Sequence, residues 1–210
     1  MTVRTRDTRI EDVTGNHKES RTNNDVTTFH ALNSATKYIP KRLGFVFPNL
    51  KTLSFVKTHL ELIEFRDFKN MKKLTKLFLT ENKIKKLPFC VFRYVEKLEI
   101  IDVSQNNITE LNEDTFMNLP NLQQFIANEN DIEHLEKELF RNNFNIKKIS
   151  LSKNKLKVID VNFMKLKGIE LVDLRENSCI SLSFGCCKGP MLRDFQNQTA
   201  GNCNGTEAVC

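Results

Sequence analysis

The apolar positions of this chain recur with a period of 24 residues. The unit that begins at Leu74 reads Leu-x-x-Leu-x-Leu-x-x-Asn-x-Ile-x-x-Leu, and the same order of apolar and polar positions returns in the units that follow. Self-similarity at a fixed period of this length indicates a solenoid built from stacked units. The starts of the seven units that share this register are Val26, Leu50, Leu74, Leu98, Leu122, Ile146 and Ile169.

Two further columns keep their phase through the units. One column is mostly asparagine and reads Ser34, Thr58, Asn82, Asn106, Asn130, Asn154 and Asn177. The other is aromatic and reads Phe68, Phe92, Phe116 and Phe140. An array of amphipathic helices does not explain why asparagine keeps one phase over five consecutive units.

Each column has a physical reason. Leu77 and Leu79 point to the same side of a short strand, and strands stacked about 4.8 Å apart form a parallel sheet over a continuous core. An inward asparagine can bond the turn backbone, whose buried groups would otherwise cost about 1–3 kcal/mol each. The phenylalanines are expected to stack as a second spine under the opposite, convex side. Gly44 holds the spine position of the first unit, and Met164 holds it in the unit from Ile146.

These repeats resemble the leucine-rich repeat family in its 24-residue form, which is usual in extracellular members, over residues 26 to about 182. The resemblance implies an α/β solenoid shaped as a curved horseshoe, with short parallel strands on the concave face and irregular or 3-10 turns on the convex side. We expect an N-terminal capping segment over 1–25, about seven repeats over 26–176 and a cysteine-rich C-terminal cap over 177–210.

The N-terminal segment 1–25 has only Val3, Ile10 and Val13 as large aliphatic residues, too few for a core of its own. It is expected to run as one or two strands that cap the first repeat. Secreted family members usually carry a cysteine-paired cap at this end, whereas the first cysteine here is Cys90. We therefore expect the N-terminus of the given sequence to be incomplete.

Five of the six cysteines lie in the last 32 residues, which indicates either a disulfide-bonded cap or a metal site. They are Cys179, Cys186, Cys187, Cys203 and Cys210. Zinc is disfavoured because the nearest histidine, His134, lies two repeats upstream. Pro190 stands where a helix can begin, followed by apolar residues able to close the last repeat. The segment resembles the C-terminal cap of secreted insect leucine-rich repeat proteins, and that resemblance implies a Cys179–Cys203 disulfide.

The cap holds an odd number of cysteines. Cys90 cannot complete the pairing, because about four stacked units, or roughly 20 Å, separate it from the cap, against a limit near 7 Å between the α-carbons of a disulfide. Adjacent residues such as Cys186 and Cys187 rarely bond each other. If Cys179 pairs with Cys203, as the resemblance implies, one of these two can pair with Cys210 and the other remains. We therefore hypothesise a disulfide-linked dimer, or a covalent complex with another chain, through Cys186 or Cys187.

The compartment is predicted from these cysteines and the repeat type, which favour an extracellular, secreted protein. N-glycosylation sequons begin at Asn107, Asn197 and Asn204. They permit secretion without supporting it, since 23 asparagines and 25 serines and threonines among 210 residues give about three sequons by chance. No stretch is apolar enough to span a bilayer, and the given chain carries no signal peptide.

A net charge of +6 raises the question of nucleic acid. Lys83, Lys85 and Lys86 lie on the lateral edge after the asparagine column, but Glu110 and Asp131 interrupt that edge in the following units. No continuous basic stripe results, so no nucleic-acid partner is predicted.

The outward residues of the strands form the candidate binding face. Val56, Phe78, Ile100 and Ile126 fall on four successive strands, and an outward apolar patch of this kind commonly marks a protein interface. A covering loop or chance is the alternative interpretation of the patch. The residues expected to form its polar rim are Lys76, Asp102, Asn128 and Lys148.

No catalytic motif is present: the chain lacks a phosphate-binding glycine loop, a Gly-x-Ser-x-Gly and a paired histidine motif. We predict that the chain is not an enzyme and that it binds no metal ion and no cofactor. The predicted function is secreted recognition of another protein or a microbial surface through the concave face, in insect innate immunity. The alternatives are a fragment of a cell-surface receptor ectodomain and an intracellular leucine-rich repeat scaffold.

Overall fold

The computed structural model describes residues 2–6, 9–14, 21–178, 180, 183–185 and 190–199. The strands are β1 (Thr2–Arg6), β2 (Arg9–Thr14), β3 (Thr28–Leu32), β4 (Thr52–Val56), β5 (Lys76–Phe78), β6 (Ile100–Asp102), β7 (Gln124–Ile126), β8 (His134–Leu135), β9 (Lys148–Ser150), β10 (Val158–Ile159), β11 (Leu171–Asp173) and β12 (Ser183–Gly185). The helices are α1 (Leu43–Val46) and α2 (Pro190–Thr199), with 3-10 turns at Asn23–Asp25 and Phe163–Lys165.

One sheet runs the length of the repeats, in the order β3-β4-β5-β6-β7-β9-β11-β12. Its first seven strands are parallel, and each step across the sheet is one repeat along the chain: Leu53 pairs with Leu77 and Leu77 with Ile101. Inward residues such as these are fully buried. The predicted parallel-strand solenoid is confirmed, and the 24-residue period is the distance along the chain between residues that touch.

The asparagine column forms a buried hydrogen-bonded ladder. The Oδ1 of Asn106 accepts from the backbone N–H of Ile84, one turn back, at 3.0 Å. Its Nδ2 donates to the carbonyls of Leu79 (2.8 Å), Val103 (2.9 Å) and Ser104 (3.2 Å). The pattern of bonds to residues 22 and 27 positions earlier recurs at Asn82, Asn130 and Asn154. Each amide therefore ties two neighbouring turns together.

The residue before each ladder position has a left-handed backbone. Its φ lies between 49° and 56° in every turn, and none of these residues is glycine. A left-handed conformation costs a non-glycine residue about 1–2 kcal/mol, and the ladder bonds of Asn82 to Asn177 offset this cost in their turns. The residues are Asn33, Lys57, Glu81, Gln105, Glu129, Lys153 and Glu176.

The predicted phenylalanine spine is also present. The Phe68, Phe92, Phe116 and Phe140 rings stack in series, with centroids 5.9, 6.3 and 5.4 Å apart. The assignment of Met164 to this spine was wrong: Met164 is 44% exposed, while Phe163 is fully buried. Phe163 takes the inward place because this turn is a 3-10 helix in a unit one residue short.

Gly44 holds the first spine position for a steric reason. A β-carbon built on this residue would collide with the carbonyl oxygen of Lys69 and lie 2.8 Å from Cγ of Met71. The next turn therefore packs directly on the glycine backbone. Glycine permits this close approach, and no spine side chain fits there.

Ion pairs join exposed side chains of adjacent turns. Among the described residues, six of the seven pairs that involve a lysine are 24 residues apart, as in Lys86–Glu110 at 2.7 Å. Exposed pairs of this kind stabilise by less than about 1 kcal/mol each, but they neutralise much of the lysine charge on the solenoid's edges. The paired lysines are Lys37, Lys41, Lys57, Lys86, Lys153, Lys155 and Lys157.

The two ends differ from the repeats. At the N-terminus β1 and β2 form an antiparallel hairpin. At the C-terminus β12 runs antiparallel to β11, and α2 begins at Pro190 as predicted. Phe195 of α2 packs edge-on against Phe163 at 5.6 Å, and the Gln196 side chain bonds the N–H of Phe163 and the carbonyl of Val161. Helix α2 therefore covers the core where the repeats end.

Asp67 is an acid in a column that is otherwise largely apolar, directly before the spine residue Phe68, and it is only 5% exposed. Burial raises its pKa to about 6 from the ordinary 3.8, and the nearby Glu64 adds to the rise. The backbone N–H of Glu64, which donates to its Oδ2 at 2.7 Å, and the charge of Lys41 oppose the rise.

The raised pKa predicts how stability depends on pH. The folded chain holds the Asp67 proton more tightly than the unfolded chain, so the free energy of unfolding falls as the pH rises from about 4 to 6. We expect Asp67→Asn to match the wild type at pH 4 and to be more stable by about 2 kcal/mol at pH 7. Urea unfolding of both proteins at several pH values measures this difference. A constant difference from pH 4 to 7 would contradict the buried-carboxylate interpretation.

Candidate functional site

The outward side chains of the sheet form three columns on one surface, the concave face. The strand alternation places every second residue outward, and the parallel pairing aligns these residues between units. The first column is Thr28, Thr52, Lys76, Ile100, Gln124, Lys148 and Leu171. The central column is His30, Ser54, Phe78, Asp102, Ile126, Ser150 and Asp173. The third follows the strands and includes Leu32, Val56, Ser104, Asn128 and Arg175.

The four apolar residues of the predicted patch all lie on this face and are partly exposed. They do not form a column: Val56 is in the third column, Phe78 in the central one and Ile100 in the first, and Ile126 returns to the centre. Diagonal neighbours in a sheet remain within reach of aromatic and long side chains. The apolar band, as we call these four residues, therefore crosses the face obliquely.

One member of this surface was missing from the sequence-based prediction. Leu32 pairs in register with Val56 and is 61% exposed, so it extends the apolar band onto β3. The repeat carries the signal for this residue, because Leu32 lies 24 residues before Val56.

Two of the predicted rim residues accept hydrogen bonds from other residues of the concave face through their side-chain oxygens. The Oδ1 of Asn128 accepts from the Ser150 hydroxyl at 2.8 Å and the Ser152 N–H at 3.0 Å. The Oδ1 of Asp102 accepts from the N–H of Ser104 at 2.9 Å. These oxygens hold the turns after the strands in place. Lys76 is exposed and Lys148 partly exposed, and these two place positive charge on the first column.

A charged pair closes the C-terminal end of the face. Arg175 donates to both carboxylate oxygens of Asp173, at 2.9 and 2.7 Å. This bidentate contact with Arg175 lowers the pKa of Asp173, opposed by partial burial and helped slightly by Lys148. The Asp173 side chain is largely buried while Arg175 is exposed. Arg175, two residues after Asp173, was not among the residues predicted for the binding face.

The predicted glycosylation sites differ in their surroundings. Asn107 is exposed, and so is the Thr109 that completes its sequon. Asn197 is exposed on α2, but the Thr199 of its sequon is buried and its hydroxyl bonds the carbonyl of Gln196. This geometry favours Asn107 over Asn197 as a glycan acceptor. Asn204 lies outside the described residues.

The predicted cap cysteines, Cys179, Cys186, Cys187, Cys203 and Cys210, also lie outside the described residues. Cys90 is described, is partly buried and forms no disulfide within the described part of the chain. Nowhere in the described ranges do three His, Cys, Asp or Glu side chains gather as a set able to hold a metal ion. Among the described helices, none has the length and apolar character needed to cross a membrane.

Comparison with known proteins agrees with this geometry. Residues 72–132 match the leucine rich repeat family model. No curated protein matches the chain in sequence. The chain thus carries leucine-rich repeats in its centre, where the register is most regular.

Solved structures show the same fold. The LRIM1/APL1C complex aligns with a TM-score of 0.65 and 24% identity, over 69% of this chain and 27% of that one. The APL1 leucine-rich repeat domain aligns with a TM-score of 0.67 and 22% identity, over 74% of this chain and 45% of that one. The TLR13–ssRNA13 complex aligns with a TM-score of 0.56 and 28% identity, over 72% and 25%. This chain spans less than half the length of each of these proteins.

Proposed function

We propose that this chain is a secreted recognition module that binds another protein, or a ligand on a microbial surface, through its concave face, in insect innate immunity. Its fold is that of a leucine-rich repeat solenoid, whose stacked strands offer an extended surface to a macromolecule. The similar structures include a complex of two leucine-rich repeat proteins, LRIM1 and APL1C, which supports a protein partner.

One observation carries the proposal: the partly exposed apolar band of Val56, Phe78, Ile100 and Ile126 on four adjacent strands. The core beneath is complete without these residues, since the inward residues of the same strands are fully buried. Partly exposed aromatic and aliphatic side chains flanked by charged residues are typical of the centre of a protein interface.

The test compares two pairs of substitutions of equal chemistry. Phe78→Ser with Ile100→Ser removes the middle of the apolar band, and Phe45→Ser with Phe89→Ser removes two exposed phenylalanines away from that face. Each tagged protein is titrated by biolayer interferometry against a partner isolated with the wild type from extracellular fluid. We expect the first pair to weaken binding at least tenfold and the second pair to leave it unchanged. Equal affinity of the two variants would rule out the concave face.

A separate experiment tests whether the chain is secreted. If the chain is secreted, an unreduced digest is expected to contain a peptide pair linked through Cys179 and Cys203, since these cysteines align with a cap disulfide in the resemblance. Mass spectrometry of protein expressed through a secretory pathway detects the pair. Alkylation of both thiols would favour the intracellular scaffold, and a membrane span in the full-length transcript would favour the receptor ectodomain.

We also propose a covalent partner through Cys186 or Cys187, which follows from the odd number of cysteines in the cap. The same preparation, run on a non-reducing gel with Cys186→Ser and Cys187→Ser made singly, shows which thiol is involved. A monomer with one titratable cap thiol would remove the covalent partner and leave the recognition module in place.

A further inference from the structure

A groove lies on the convex side of the solenoid, between turns that do not include the strand residues of the apolar band. It has a volume of about 530 Å³ and lies between the turn at 137–144 and the turn at 161–167. This volume lies within the range of ligand-binding clefts. The residues that line the groove fall into a basic group and an apolar group, and each group has a feature that the fold does not require.

The basic group is Lys137, Arg141, Lys165 and Lys167, against a single acid, Glu138. Arg141 has an ion pair with Asp114. The three lysines form no ion pair within the described residues, so their charges are not neutralised there, as is true of most lysines in the described part of the chain. In the repeat register, the residue one turn before Lys165 is Arg141, which is a like charge.

Like charges that converge on a cleft repel one another and destabilise the fold slightly. An anionic ligand removes this repulsion. The groove is therefore electrostatically complementary to carboxylates or phosphates.

The apolar group adds a second requirement on the ligand. Phe144 is 77% exposed at the rim, beside the half-buried Leu166. Earlier units have Pro48, Lys72, Glu96 and Pro120 at the register position of Phe144. A phenylalanine here is not part of the repeat pattern, and an exposed aromatic ring at a cleft is a typical anchor for an apolar side chain.

The third feature is a buried polar group. Asn143 lines the groove, is 1% exposed and interrupts a column that is otherwise apolar. Its Nδ2 donates to the carbonyls of Phe116 and Leu119, at 3.0 and 2.8 Å. Its Oδ1 has no hydrogen-bond partner among the described residues. A buried acceptor left unpaired costs about 1–3 kcal/mol.

We propose that this groove binds an extended acidic segment of a partner protein, with carboxylates at Lys137, Lys165 and Lys167 and an apolar side chain against Phe144 and Leu166. A peptide supplies both negative side chains and an apolar side chain. An inorganic phosphate or a nucleic-acid backbone supplies only the negative charge. The site is independent of the concave face.

The probe is a fluorescein-labelled peptide of sequence Asp-Glu-Phe-Glu-Glu-Leu-Asp, titrated with the full chain and followed by fluorescence anisotropy. The test variant is Lys165→Glu with Lys167→Glu. The control is Lys83→Glu with Lys85→Glu, which makes the same change in net charge at two exposed lysines on the lateral edge. Phe144→Ser tests the apolar contact and, at this exposed position, leaves the fold intact.

We expect the Lys165/Lys167 variant to weaken peptide binding at least tenfold, Phe144→Ser to weaken it about threefold or more, and the control to bind like the wild type. Higher salt should weaken the wild-type complex. Equal binding by the test and control variants would overturn the proposal, as would no binding of the labelled peptide at protein concentrations up to about 1 mM. Tighter binding of a single-stranded oligonucleotide at the same residues would also overturn it, in favour of a nucleic-acid site.

Discussion

Replacing Phe116 with alanine is expected to destabilise the solenoid by about 3–5 kcal/mol, because the spine loses its most extensively stacked ring. The Phe116 ring is fully buried and contacts three other rings, with centroid distances of 4.6 Å to Phe125, 5.4 Å to Phe140 and 6.3 Å to Phe92. Its removal leaves a cavity at the middle of the spine, where turns on both sides lose contact.

Urea unfolding followed by far-ultraviolet circular dichroism measures this loss. Phe89→Ala is the matched control, because Phe89 is 62% exposed and is expected to change the free energy of unfolding by less than about 0.5 kcal/mol. A small and equal effect of both substitutions would show that the spine does not hold the turns together.

The second prediction concerns the ladder. Asn106→Ala is expected to cost about 3 kcal/mol, because it leaves the buried N–H of Ile84 without its acceptor and removes three donor contacts to carbonyls of two turns. Asn107→Ala, one residue further on, changes an exposed side chain and is expected to be near neutral.

A third variant separates the two halves of the Asn106 amide. Asn106→Asp keeps an acceptor for the Ile84 N–H but loses the Nδ2 donor, and it places a carboxylate beside three carbonyl oxygens. It is expected to cost at least as much as alanine. Chemical denaturation measures all three variants, and equal effects at positions 106 and 107 would contradict the register of the ladder.

Much of the fold was predictable because a solenoid makes its tertiary contacts at a fixed sequence distance. Leu77 touches the residues one repeat away, so the 24-residue period already states which side chains meet. The inward strand residues, the asparagine ladder, the phenylalanine spine and the outward position of the concave residues all follow from that period.

The period is less informative where the chain departs from it. Phe163 and Met164 are both plausible spine residues in a unit one residue short, and only the 3-10 turn at Phe163–Lys165 decides that Phe163 faces inward. Similarly, the sequence places Asn128 on the concave face, but only the structure shows its Oδ1 bonded to Ser150 and Ser152.

The sequence alone therefore determined the repeat, its register, the buried columns and the residues that face outward, because each depends on contacts repeated at one spacing. The tertiary structure decided the inward place of Phe163, the hydrogen bond between Asn128 and Ser150, and the groove that joins Lys137 and Phe144 to Lys165. These features depend on how far side chains of different length reach between turns. The periodic pattern does not predict these side-chain contacts, because they depend on how each particular pair of neighbouring units packs.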